Sequence, residues 1–271
     1  GRKVTPSPVA SEALEWGIEP LVPDSVKTGE FLETAAALEP DVALVVAYGK
    51  ILPPALLAVP RLGCVNIHAS LLPELRGAAP IQWAIARGFS ETGVTLMQMD
   101  EGMDTGPILL QKSTPIGTEE TAGELGKRLA LLGAELVREG LPALHLGKLT
   151  PRQQDGAAAT YAPLLTKEDG HIDWTGDAAD IANRVRGFSL WPGTYTAHKG
   201  VRVLIIRALA VEGRPGEEPG AVLETDSNGI IVVCGRGALL ITSLKPEGKR
   251  EMEAGEFLSG YSLNIGDVLG E

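Results

Sequence analysis

Residues 63–70 alternate polar and apolar side chains in a way that gathers three hydrogen-bonding groups on one face. Every second residue of a strand shares a face. Asn66, His68 and Ser70 therefore point one way, and Val65, Ile67 and Ala69 the other. An amide, an imidazole and a hydroxyl thus close an otherwise apolar strand at its carboxyl end, where open α/β sheets bind their ligands. The bland alternative is a core histidine satisfied by a neighbour, and the strand alone leaves both open. A second segment of interest is Met99-Asp100-Glu101-Gly102-Met103-Asp104-Thr105-Gly106, an acidic loop with two glycines. Glycine opens backbone conformations closed to other residues, so the loop reads first as a tight turn. It offers few ligands and lacks the Asp/Asn alternation of a calcium loop, so no metal is expected there.

The surrounding sequence supplies elements that hold these groups. Residues 41–48 run almost continuously apolar up to Gly49, the pattern of a strand buried on both faces of a parallel sheet. A short helix precedes it at 31–38, between the prolines at 20–23 and Pro40. Pro80 sits at the first position of a helix over 81–87, where its fixed φ is favourable. Strands are predicted at 93–99 and 107–111. A helix over 122–139 carries Leu125, Leu129, Leu132, Leu136 and Val137 on one face, with Thr121 and Glu124 as a capping box. Strands alternating with helices predict an α/β domain with a mostly parallel, Rossmann-like sheet over 1–148. Residues 149–176 read as a linker. A helix over 177–187 then leads to short strands at 201–211, 221–225, 229–234 and 238–244, separated by Pro-Gly and Asn-Gly turns. The pattern over 177–271 predicts a small C-terminal β-barrel of OB-like type.

Taken together, several strings of residues become recognisable. They are Val45-Val46-Ala47-Tyr48-Gly49, Asn66-Ile67-His68-Ala69-Ser70-Leu71-Leu72-Pro73, Arg76-Gly77-Ala78-Ala79-Pro80-Ile81-Gln82 and Asp104-Thr105-Gly106. Trp191-Pro192-Gly193-Thr194 and Leu244-Lys245-Pro246-Glu247-Gly248-Lys249 continue the likeness to the last domain. The chain resembles the methionyl-tRNA formyltransferase family, a branch of the enzymes that use 10-formyltetrahydrofolate. The resemblance implies Asn66, His68 and Asp104 as catalytic residues. Asn66 and His68 would donate to the formyl oxygen as an amine attacks, and Asp104 would fix the imidazole and relay a proton through water. It implies folate contacts from Ser70, Leu71, Leu72 and Pro73, with Lys50, Ile51 and Leu52 walling the pterin pocket. Gly77, Pro80 and Gln82 read as architecture.

The resemblance also implies a strand, a helix and an Arg-rich loop of roughly forty residues before or around Gly1-Arg2-Lys3, a βαβ-sized unit. Glu74-Leu75 departs from the family's Arg-Trp, and a phosphate or acceptor-stem contact at that position is not carried over. The implied substrate is the amino group of initiator methionyl-tRNA, bound through Arg2, Lys3, Lys245, Lys249 and Arg250. Two alternatives remain: a formyltransferase for an amino sugar nucleotide, and a tRNA-binding protein without catalysis.

Bulk properties fit this reading. The net charge of −11 argues against indiscriminate nucleic-acid binding by the whole surface. Between residues 199 and 250, however, eight basic residues stand against six acidic ones. No run approaches the ~20 apolar residues that span a bilayer, and the first residues lack the apolar stretch of a secretory signal. Cys64 and Cys234 lie in separate apolar runs and are expected to be buried thiols. A cytoplasmic monomer is expected.

Overall fold

The computed structural model describes residues 6–214 and 216–270; Arg2 and Lys3 lie outside them. The first half contains α1 (Pro8–Glu15), α2 (Gly29–Ala37), β1 (Ala43–Val46), α3 (Pro54–Leu57) and β2 (Cys64–His68). It continues through β3 (Arg76–Gly77), α4 (Pro80–Ala86), β4 (Glu91–Gln98), β5 (Ile108–Pro115) and α5 (Ala122–His145). Four strands form one sheet in the order β1-β2-β4-β5. β1 and β2 pair in parallel, whereas β2–β4 and β4–β5 are antiparallel. The α/β, Rossmann-like fold therefore stands, with a refinement: the described sheet is mixed, because the chain returns after α4 in the opposite sense.

One face of this sheet packs on α5. Val65, Val94, Leu96 and Leu109 meet Leu125, Leu129 and Leu136, with Ile67 and Ala69 alongside. The predicted capping box is present: Glu124 N–H donates to Thr121 Oγ1, and Thr121 N–H donates to Glu124 Oε2. The helix runs past the predicted end at 139, through Pro142, because proline removes one hydrogen bond without abolishing the packing of that turn.

The expectation that 41–48 is buried on both faces needs correcting. Among the described residues β1 pairs only with β2, and Leu44 and Val46 are 38% and 58% exposed. An open, largely apolar cleft of about 360 Å³ lies beside β1, lined by residues including Phe31, Leu38, Leu44, Val46 and Leu56.

The second half comprises β6 (Tyr161–Ala162), α6 (Ala178–Gly187), β7 (Thr194–His198), β8 (Val201–Val211), β9 (Val222–Thr225) and β10 (Ile230–Val233). β11 (Ala238–Pro246), β12 (Met252–Glu253) and α7 (Ala254–Gly260) complete it. The strands make an antiparallel sheet in the order β7-β8-β11-β10-β9, with β12 on β11. Register shifts along β8–β11 let the long strands curl. The last residues close the ring: Val222 N–H donates to Asp267 O, Leu269 N–H to Gly220 O, and Gly270 N–H to Ala197 O. The predicted barrel is thus sealed by its own tail, around a core that includes Val203, Ile205, Val232, Leu239 and Leu244, with α6 across it.

Residues 149–176, expected to link the two halves, do so while bonded to both. Arg152 bridges Ile108, β6 pairs in parallel with β3, and His171 bridges Tyr195. Trp83 of α4 also meets Phe188, after α6, edge to face with ring centroids 5.4 Å apart. Both cysteines are buried and free. No described helix is long and apolar enough to cross a membrane.

Candidate active site

β2 ends as the alternation demands. Val65 is buried in the α5-facing core, and the opposite face carries Asn66 and His68 at the carboxyl end. His68 is only 5% exposed, and both its nitrogens have acceptors. Nε2 lies 2.9 Å from the Leu75 carbonyl, and Nδ1 lies 3.5 Å from Asp104 Oδ2. A carbonyl oxygen only accepts, so Nε2 carries the hydrogen, and Nδ1 is the nitrogen that takes or releases a proton beside the carboxylate. The Asn66 amide is half-buried on the same face, with no hydrogen bond to its side chain among the described residues.

Asp104 arrives from across the sheet on the loop that joins β4 to β5. Its backbone is left-handed, with φ of +55°. Asparagine and aspartate tolerate that region better than most residues, but something must still select it. The carboxylate is aimed by a backbone donor: Gly77 N–H donates to Asp104 Oδ2 over 2.9 Å. Gly77 has φ of +120°, and a Cβ there would lie 2.6 Å from the Ala162 carbonyl oxygen. Only glycine brings its N–H to this place. The loop presses equally close behind: a Cβ on Gly106 would lie 2.0 Å from the Gln98 carbonyl oxygen. Gly77, read from sequence as architecture, therefore also holds the carboxylate.

The segment 70–73 is shaped by internal hydrogen bonds. Ser70 Oγ donates to the Glu74 carbonyl over 2.5 Å, and Thr95 Oγ1 donates to the Ser70 carbonyl over 2.6 Å. Leu72 N–H donates to Thr95 Oγ1, and Gln111 Nε2 donates to the Leu72 carbonyl. The Leu72 side chain is buried with Met97 and Ile108, and the Leu72–Pro73 peptide is cis. Leu71 and Pro73 are partly buried, with Leu71 against Gly93. Ser70 and Leu72 thus have their groups committed inside the protein, where they set the course of the loop.

Lys50, Ile51 and Leu52 follow β1, one strand over from His68. Ile51 is 72% exposed, Lys50 is exposed, and Leu52 is buried in the wall of the cleft beside β1. At the departure from the family pattern, Glu74 is exposed, while Leu75 is buried with φ of +57° and offers its carbonyl to His68. Lys245, Lys249 and Arg250 are exposed at one end of the barrel, and Arg250 is paired with Glu256. Among the described residues no group of three or more His, Cys, Asp or Glu is placed to hold a metal ion.

Sequence reading missed the supports that come from residues 152–160. Thr160 Oγ1 accepts from Leu75 N–H, and the Thr160 carbonyl accepts from Arg76 N–H. Arg152 donates to Gln111, and Gln154 bridges Arg76 and the Asp104 loop. A polar cluster in a segment with no hydrophobic period was the sole signal, and it resembles any linker.

An imidazole and a carboxylate thus meet at the carboxyl end of a strand, with an amide on the same strand face. The adjacent serine donates to a carbonyl instead of to the imidazole, so it is not activated as a nucleophile. On an α/β sheet, that arrangement has the groups to donate a hydrogen bond to a developing oxyanion and to accept a proton, the equipment of a group-transfer enzyme.

Comparison with known proteins gives the particular family. The formyl transferase profile matches residues 2–141, and the formyl transferase C-terminal domain profile matches residues 164–262. Methionyl-tRNA formyltransferase of Citrifermentans bemidjiense is 47% identical over 273 residues, covering 100% of this chain and 85% of that protein. The enzyme of the same name from Caldanaerobacter subterraneus subsp. tengcongensis is 48% identical over 270 residues, covering 99% and 87%. Among solved structures, an N-formyltransferase from Helicobacter canadensis in complex with folinic acid and dTDP-3-aminofucose shares the fold. It has a TM-score of 0.68 at 19% identity and covers 86% of this chain and 81% of its own. HypX from Aquifex aeolicus in complex with tetrahydrofolic acid has a TM-score of 0.65 at 22% identity and covers 95% and 48%. The chain belongs to the formyl transferase family.

Proposed function

We propose that this protein transfers a formyl group from 10-formyltetrahydrofolate to the amino group of methionine on initiator methionyl-tRNA. The reading of the substrate is supported by relatives of that name, nearly half identical along the whole chain. The reading of the site is carried by one observation: Asp104 Oδ2 lies 3.5 Å from His68 Nδ1 and accepts from Gly77 N–H, on the face that also carries Asn66.

The chemistry follows from what each group has free. Attack of an amine on the formyl carbon puts negative charge on the formyl oxygen and leaves a surplus proton on nitrogen. The uncommitted Asn66 amide donates to that oxygen; losing one such donor typically costs ~10²–10³ in rate. Asp104 and His68 act as a pair to accept the proton, directly or through a water, and a proton is delivered to folate N10 as the tetrahedral carbon collapses and its bond to that nitrogen breaks. For His68 to donate to the oxygen as well, one of its contacts must give way, and the 3.5 Å contact to Asp104 is the longer. Such contacts commonly tighten only when substrate is present. The loops 70–73 and 100–106 flank this point and are assigned to the folate. Lys50, Ile51 and Leu52 are assigned to the rim.

The test is formylation of methionyl initiator tRNA by the purified protein with 10-formyltetrahydrofolate. Asp104→Asn should fold as the parent does while losing roughly 10²–10⁴-fold in kcat. Formylation of an amino sugar nucleotide alone, or tRNA binding without turnover, would replace this reading.

A further inference from the structure

Gln154 makes four hydrogen bonds, two with Arg76 and two with the loop that carries Asp104. Its Oε1 accepts from Arg76 Nε over 3.1 Å and from Arg76 Nη2 over 2.8 Å. Its Nε2 donates to the Asp104 carbonyl over 2.9 Å and to the Gly106 carbonyl over 2.7 Å. The amide orientation is forced, since guanidinium only donates and the two carbonyls only accept. Arg76 is 6% exposed, and the next residue is Gly77, the donor to the Asp104 side chain. Asp104 is therefore gripped twice: its carboxylate by Gly77, and its carbonyl by Gln154, which Arg76 in turn orients. The two grips join through neighbouring residues into one closed circuit.

We propose that Gln154 is a positioning residue for formyl transfer, fixing the left-handed backbone of Asp104 so that its carboxylate faces His68. Among the described residues neither the Asp104 carbonyl nor the Gly106 carbonyl has a backbone partner, and a turn containing a residue with φ of +55° has neighbouring conformations open to it. An amide that ties both carbonyls to one nitrogen selects the single conformation in which they point the same way. Gln154 lies well outside the sequence strings that carry the catalytic groups, in a segment that otherwise connects the two halves. The segment is consequently part of the active site, and its removal or replacement should be felt in turnover.

The proposal rests on Asp104 acting in catalysis, and a double-mutant cycle separates the two claims. Gln154→Ala should lower kcat roughly 10- to 100-fold, the scale of a small misplacement of a reacting group, with KM for both substrates within about twofold. In the Asp104→Asn background the same substitution should cost less than about twofold, because the group it positions is already gone. Gln154→Glu keeps an acceptor for Arg76 but has no N–H to give the carbonyls. It should match Gln154→Ala in kcat, whereas a mere brace for Arg76 would tolerate it. Thermal unfolding of each variant reports on folding, and if Gln154→Ala does not fold, Gln154→Glu carries the cycle. Equal losses in both backgrounds, or full turnover by Gln154→Glu, would overturn the role of Gln154. A normal rate for Asp104→Asn alone would instead overturn the reading of the site.

Discussion

The chemistry here depends on backbone as much as on side chains. The carboxylate proposed to act in catalysis is held by the N–H of Gly77, and that N–H is in place only because a missing Cβ lets residues 76–77 pair closely with 161–162. Gly77→Ala forces a methyl against the Ala162 carbonyl at a φ that disfavours alanine, a strain of about 1–3 kcal/mol. The strand pair must separate, carrying the N–H away from Asp104. We expect a lower melting temperature together with a kcat loss exceeding any change in KM. A variant with the parent's melting curve and turnover would show that the backbone can shift at no cost, and that Gly77 is dispensable for Asp104.

At the scale of elements, the barrel depends on a tail that is barely a strand. Asp267 gathers it: Oδ2 accepts from Asn264 N–H over 3.1 Å, and His198 Nε2 and Lys199 Nζ each lie 3.3 Å away. The Asn264 N–H and then the Lys199 and His198 contacts hold the Asp267 carboxyl below its ordinary value of 3.8. A carboxyl depressed in the folded state stabilises above its unfolded pKa, and that contribution disappears as pH falls through the folded value. Asp267→Asn should therefore melt earlier than the parent at neutral pH, with the gap closing progressively below about pH 4. Melting curves between pH 7 and 3 provide the check. A gap that stays constant throughout would assign the tail's hold to its backbone bonds alone.

For the molecule as a whole, the question is how an acidic protein takes hold of an RNA. The net charge of −11 repels phosphates at long range, so attraction must be local. The proposed contacts Lys245, Lys249 and Arg250 lie at one end of the barrel, and they are not equivalent, since Arg250 is already paired with Glu256. Each phosphate neutralised contributes roughly 0.9 to the slope of log affinity against log salt. Replacing all three with alanine should flatten that slope by about two such contributions instead of three, raising KM for the tRNA with little change in kcat. Titrations of affinity against salt measure it directly, and an unaltered slope would clear this patch of contact with the RNA.

Much of this protein was legible from sequence because its main elements obey local rules. Period-two alternation put Asn66 and His68 on one face of a strand, and the capping box at Thr121 and Glu124 announced the longest helix. The barrel strands followed from apolar runs between turn residues, with 201–211 matched end to end by β8. What depends on partners distant in the chain was not legible. The exposure of β1 follows from the lack of a second described neighbour, and periodicity carries no word of neighbours. The antiparallel return of β4 and the barrel's closure by residues 266–270 are likewise choices between pairings that a single strand permits equally. The same holds at the site. Sequence supplied the amide, imidazole and carboxylate by type, whereas only the folded chain aimed Asp104, through a glycine N–H from one segment and Gln154 from another. Side-chain identity and periodicity are written locally; hydrogen bonds between residues dozens of positions apart form only after the core has brought them together.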